Sequence, residues 1–140
     1  MLPPGTLVRA TRAFVRERAK SRCEFCRAPE IITGGPFEVD HIVPQASSGG
    51  DEPENLALCC KSCNIRKSDH ISGIDPESRE ETVLFDPRRD AWNEHFDFDA
   101  GRFQLLGRTP TGRATIDQLR MNTSYQIEAR KYWVEAGLYP

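Results

Sequence analysis

The chain has 140 residues and a formal net charge of −2, the size and balance of one globular domain. Its hydrophobic fraction of 38% is ordinary for a folded chain, which with so little net charge excludes an intrinsically disordered polymer. No apolar run approaches the ~20 residues of a membrane helix, and the opening Met1-Leu2-Pro3-Pro4 lacks the apolar stretch of a secretory signal, so a cytoplasmic protein is expected.

In chain order, residues 6–20 carry Val8, Thr11, Val15 and Ala19 at helical spacing, which predicts an amphipathic N-terminal helix within a segment 6–22. Six basic residues (Arg9, Arg12, Arg16, Arg18, Lys20, Arg22) face one acid there, Glu17. A solvated helix face accounts for such a patch as well as a polyanion does. A second basic group, Lys61, Arg66 and Lys67, lies beside cysteines and shifts the balance toward nucleic acid.

Residues 23–36 are irregular, with Pro29 and Gly34-Gly35-Pro36 as turn signals. A short strand is expected at 37–42, an exposed Ser/Gly-rich loop at 45–53, a returning strand at Leu56-Ala57-Leu58 and a helix at 61–69 ending before Gly73. Beyond Ile74 the pattern predicts a strand at 82–85 and a hairpin of 92–98 with 102–106, turning at Asp99-Ala100-Gly101. Helices follow at 114–120 and 123–137, the last with Ile127, Lys131 or Tyr132, and Val134 to Leu138 as its apolar face. The aromatic-rich tail is expected to pack on the cysteine half, giving a single α+β domain over 1–140 with its extension at 71–140.

Cys23 and Cys26 are separated by two residues, as are Cys60 and Cys63. Two such knuckles supply four thiolates, the ligand set of a closed tetrahedral structural zinc site. In a reducing compartment an odd number of cysteines argues for metal over disulfides. Cys59 is the odd one, because Ser62 stands where its partner would be, and it is expected to pack as a small hydrophobe.

Between the knuckles runs Glu38-Val39-Asp40-His41-Ile42-Val43-Pro44, then Gly49-Gly50, then Glu54-Asn55-Leu56, and the second knuckle continues into Asn64-Ile65-Arg66-Lys67. This order resembles the HNH endonuclease family and its ββα-metal fold, over a core of residues 23–70. The third position of the family's name is Asn64 here, giving His-Asn-Asn. The resemblance implies a metal-dependent nuclease acting on nucleic acid, double-stranded DNA above all, with a minor-groove approach and few base contacts.

Phosphodiester hydrolysis needs a water, a base to deprotonate it, and positive charge on the phosphate and the departing oxygen. His41 suits the base because its ordinary pKa lies near neutrality. Asn55 is expected to accept from one imidazole nitrogen, through its side chain or its backbone, and so fix the tautomer. Asp40 and Asn64 offer oxygen ligands for a hard catalytic ion, magnesium or manganese, with nickel or cobalt as substitutes in vitro. Lys67, one turn beyond Asn64, and Arg66 are candidates for phosphate contacts.

The other class of reading is a zinc-stapled nucleic-acid-binding or interaction module without nuclease activity. Against it stand Asp40, His41, Asn55 and Asn64, which such a module would not need. No recognition helix is evident, so a protein partner supplying specificity is expected, with the chain a monomer or a dimer. His95 is expected on a surface or in packing, Arg108 and Arg113 in backbone contacts or ion pairs, and His70 in no role.

Overall fold

The computed structural model describes residues 7–140, so expectations for residues 1–6 lie outside the described residues. Helix α1 (Arg9–Arg18) buries Val15 completely and packs on strand β2 (Leu56–Cys59). The run Leu56-Ala57-Leu58-Cys59 is buried at every position, as a continuous apolar strand covered on both faces should be. It pairs antiparallel with β1 (Glu38–His41) in the register Glu38↔Cys59, Asp40↔Ala57 and His41↔Leu56. Cys60 then caps helix α2 (Lys61–Lys67), its sulfur accepting from the Cys63 N–H at 3.4 Å. The order strand, loop, strand, helix thus stands as the sequence predicts.

Two arginines of α1, and Arg22 beyond its end, are spent on the fold. Arg18 donates to the Pro53 and Leu56 carbonyls at 2.9 and 2.6 Å, Arg16 pairs with buried Glu30, and Arg22 reaches the carbonyls of Arg27 and Leu138. Arg9, Arg12 and Lys20 remain exposed. The basic stripe is therefore half structural clamp.

The extension begins with a pair the sequence did not disclose, β3 (Ser72–Ile74) against β4 (Glu81–Val83). The expected strand at 82–85 is shorter because Leu84 and Phe85 leave the sheet to enter the core. Residues Trp92–His95 form a single helical turn, α3, where a strand was expected. The hairpin proper is β5 (Phe96–Asp99) with β6 (Gln104–Gly107), and Asp99 accepts from the N–H groups of Gly101 and Arg102 in the turn. Helix α4 (Pro110–Gln118) starts four residues earlier than expected: Thr109 accepts from the Gly112 N–H and Pro110 occupies the first turn, where its missing N–H costs nothing.

Helix α5 (Ser124–Glu135) corrects another expectation. Its buried centre is Arg130, fully out of solvent, whose guanidinium donates to the Phe103 carbonyl in the hairpin turn and to the Met121 carbonyl and Asn122 Oδ1 beyond α4, while Tyr132 is exposed. A guanidinium with several acceptors satisfies itself in the interior, which hydrophobic periodicity does not anticipate.

The extension is pinned to the first knuckle. Arg88 pairs with Glu24, Trp92 Nε1 donates to the Phe25 carbonyl at 2.8 Å, and the Tyr139 hydroxyl donates to the Cys26 carbonyl at 2.8 Å. Arg27 also stacks on the Trp92 ring, 3.9 Å from its centroid. Among the described residues no helix is long and apolar enough to cross a membrane.

Candidate functional site

Cys23, Cys26, Cys60 and Cys63 converge with their sulfurs all within 4.8 Å of one another, each of them buried. A tetrahedral zinc with bonds near 2.3 Å sets neighbouring sulfurs about 3.8 Å apart. The Cys26–Cys60 separation is 3.7 Å. Burial, which raises the Cys23 thiol, is outweighed by hydrogen bonds from Cys26, Cys59, Cys60 and Cys63, so Cys23 ionises well below its ordinary range. Cys26 and Cys63 are held well above theirs, first by their hydrogen bonds to Cys23. Four thiols this close do not all ionise without a cation among them, and a dication removes the conflict. Burial first, then Cys23, also holds Cys59 well above the thiol range, which leaves it the packing role expected.

The strand end of β1 and the first turns of α2 make a second, open cleft. Asp40, His41 and Asn64 line it together with Gln45, Ser68 and Asp69. The alternation of an extended strand separates Asp40 from His41 in depth. Asp40 is buried, and its Oδ2 faces Lys67 Nζ at 3.0 Å, whereas His41 stays partly accessible. Burial pushes the Asp40 carboxyl up, and Lys67 pulls it back. Asp40 Oδ2 is buried and faces the Lys67 ammonium without a well-aligned hydrogen bond, and Asn64 lines the same cleft, so a carboxylate and an amide stand where oxygen donors could hold a hard cation.

Lys67 departs from expectation. Its side chain is 2% exposed, and its ammonium donates to the His41 and Ile42 carbonyls at 3.2 Å each, besides facing Asp40. Two hydrogen bonds and one ion-pair contact surround the ammonium inside the protein, so the amine ties α2 to the end of β1 and is turned away from solvent. Arg66 is half-buried and donates to the Arg120 carbonyl at 2.9 Å in an exposed contact beyond the end of α4.

Asn55 also differs from expectation, because neither its side chain nor its backbone carbonyl meets the His41 ring. Its Oδ1 accepts from the Val43 N–H at 2.8 Å, and its Nδ2 donates to the Val43 and Gly50 carbonyls at 2.9 Å each. Only its backbone approaches β1, the carbonyl accepting from Ile42 N–H at 2.8 Å. The group on the imidazole is Asp51, whose Oδ1 lies 2.7 Å from His41 Nε2. Asp51 was not singled out in the sequence; the one signal was its place just after Gly49-Gly50, at the return of the loop.

His95 takes a packing role: Nδ1 meets the Thr109 hydroxyl at 2.7 Å and the ring lies against Phe85. Arg113 forms a bidentate pair with fully buried Asp75, at 2.9 Å for each bond, and this holds the Asp75 carboxyl far below the usual range. Arg108 pairs with Asp97 at 3.3 Å on the surface, and His70 is exposed.

Residues 23–70 match the family model described as HNH endonuclease. A probable HNH endonuclease of Lactococcus phage SK1 is 38% identical over 65 residues, covering 42% of this chain and 66% of that protein. The chain thus spans just under two thirds of that relative's length. No solved structure matches the chain.

Proposed function

We propose, from the match of residues 23–70 to the HNH endonuclease model, that the protein is a metal-dependent endonuclease that hydrolyses DNA phosphodiester bonds, nicking one strand at a time with low intrinsic sequence specificity. The observation that carries this reading is the cleft, where a partly accessible imidazole stands beside a carboxylate and an amide, Asp40 and Asn64. His41 acts as the general base, taking a proton from the attacking water at an imidazole nitrogen. Asp40 and Asn64 hold magnesium or manganese, and zinc occupies the four cysteines as a staple that fixes the start of α2 and hence Asn64. A bound catalytic dication supplies positive charge at the scissile phosphate and the leaving oxygen.

Arg9, Arg12, Lys20 and Lys61 are exposed and make no ion pair among the described residues, which suits sequence-independent attraction to phosphates. One cleft cuts one strand, so a double-strand break takes a second copy or a second visit, and sequence preference falls to a protein partner. The unpaired cysteines suit a reducing compartment, in keeping with a cytoplasmic protein acting as one unit over residues 1–140.

The test is cleavage of supercoiled plasmid by wild type and His41→Ala with magnesium, manganese, nickel or EDTA. Metal-dependent nicked product from the wild type, with DNA binding but no cleavage by His41→Ala, is the expected result. Equal behaviour of the two proteins, or no cleavage with any metal in zinc-loaded protein, overturns the enzyme and favours a binding module.

A further inference from the structure

We propose that Asp51 is the positioning residue for His41, and that Asn55 acts on the imidazole only through the loop that presents Asp51. The inference rests on the nuclease reading above, and it names a residue that neither the motif nor the family match assigns.

His41 ends β1 and is anchored there by its register with Leu56. Its Nε2 meets Asp51 Oδ1 at 2.7 Å, and the ring makes no other hydrogen bond among the described residues. An ionised carboxylate only accepts, so this contact places the imidazole hydrogen on Nε2. Nδ1 is left with its lone pair, which is the form a base needs to take a proton from water.

The loop geometry shows that the contact is built. Gly50 directly precedes Asp51, and the Gly50 carbonyl is one of the two that Asn55 Nδ2 holds, at 2.9 Å. Asn55 also closes the far end of the loop on both backbone groups of Val43. Gly49 sits so close beneath Val43 that a Cβ there would lie 1.7 Å from its carbonyl oxygen, which leaves no residue but glycine at that point. Gln45 Nε2 approaches the same Asp51 oxygen at 3.4 Å from the other side. The chain of restraint therefore runs from Asn55 to Gly50, from Gly50 to Asp51, and from Asp51 to the ring. It explains why an asparagine that never touches His41 nonetheless belongs to the site.

Asp51 is 45% exposed in its side chain, so solvent weakens its hold. Its removal should resemble loss of an outer-shell partner, about 10- to 100-fold in turnover. The experiment compares wild type, Asp51→Ala, Asp51→Glu, Asn55→Ala and the Asn55→Ala/Asp51→Ala double variant, each zinc-loaded and checked for fold by circular dichroism. Nitrogen-15 NMR of the histidine rings, with His41 assigned by its loss in His41→Ala, should show the hydrogen on Nε2, protected from exchange with water, in wild type and Asp51→Glu. That protection should vanish in Asp51→Ala and Asn55→Ala. In plasmid nicking, Asp51→Ala should lose kcat with KM unchanged, Asp51→Glu should recover most of it, and the double variant should be no worse than Asn55→Ala alone.

A hydrogen on Nδ1 in the wild type, or wild-type kcat in Asp51→Ala, overturns the proposal while leaving the nuclease standing. A wild type that cleaves nothing, yet shows the protected Nε2 hydrogen lost in Asp51→Ala, overturns the nuclease reading and with it the catalytic meaning of the contact.

Discussion

The Lys67 ammonium lies 3.0 Å from the Asp40 carboxylate, with the two side chains only 2% and 7% exposed. The pair joins the last turn of α2 to the end of β1, and the same ammonium also satisfies the His41 and Ile42 carbonyls. Removing one partner of a buried pair leaves the other charge uncompensated, which costs about 3–5 kcal/mol. Lys67→Met should therefore lower stability in urea by that order, and Lys67→Met/Asp40→Asn should recover part of the loss. A lysine that held a phosphate instead would leave stability intact and change the salt dependence of DNA binding by about one unit. Denaturation curves beside salt titrations separate the two.

The four-cysteine cluster and the spare thiol make a paired test. Cys60→Ser should abolish zinc binding and unfold α2 from its cap outward, since the Cys60 sulfur also accepts from the Cys63 N–H. Cys59→Ala should keep one zinc per chain and lose only packing, of order 1 kcal/mol or somewhat more for a single small buried group. Metal analysis with circular dichroism reads both. Chelating the zinc should also loosen the extension, because Trp92 and Tyr139 are hydrogen-bonded to knuckle carbonyls.

Gly49→Ala should behave as a local lesion. The new methyl has nowhere to go except into the Val43 carbonyl or the Asn55 amide, so residues 43–51 must shift while the core β1–β2 pairing stands. Hydrogen exchange should rise in that loop alone, and nicking should fall without loss of zinc.

The Asp75–Arg113 pair predicts a pH dependence. Arg113 first, with the Glu77 and Ser78 N–H groups, holds the folded Asp75 carboxyl below the usual range, against an unfolded value near 3.9. A folded pKa that is depressed contributes stability above the unfolded pKa and loses it as pH falls through the folded one. The gap in thermal midpoint between wild type and Asp75→Asn should therefore be full at neutral pH and close progressively below about pH 4. A gap that is flat down to pH 3 overturns the assignment.

The motif half of the molecule was readable because its constraints are local. Two cysteines two residues apart make one knuckle whatever surrounds them, and Asp40-His41 stands at the strand end that borders the cleft. The strand, loop, strand, helix order follows from the same short spacings. The extension was less readable: the turn Trp92–His95 reads as strand because its short alternation is compatible with either form, and the core around it decides. Arg130 reads as surface because charge is ordinarily outside, until carbonyls from the hairpin and the end of α4 converge on it.

The sequence by itself determined the four-cysteine cluster, the ββα order and the candidates Asp40, His41, Asn55 and Asn64, because each depends on spacing along the chain. Only the tertiary structure decided who touches whom. Lys67 turned inward because a buried carboxylate and two strand-end carbonyls surround its ammonium. Asp51 reached His41 because Asn55 folded the intervening loop back by three hydrogen bonds to backbone. Such partnerships follow from the three-dimensional path of the backbone, which spacing in sequence does not encode.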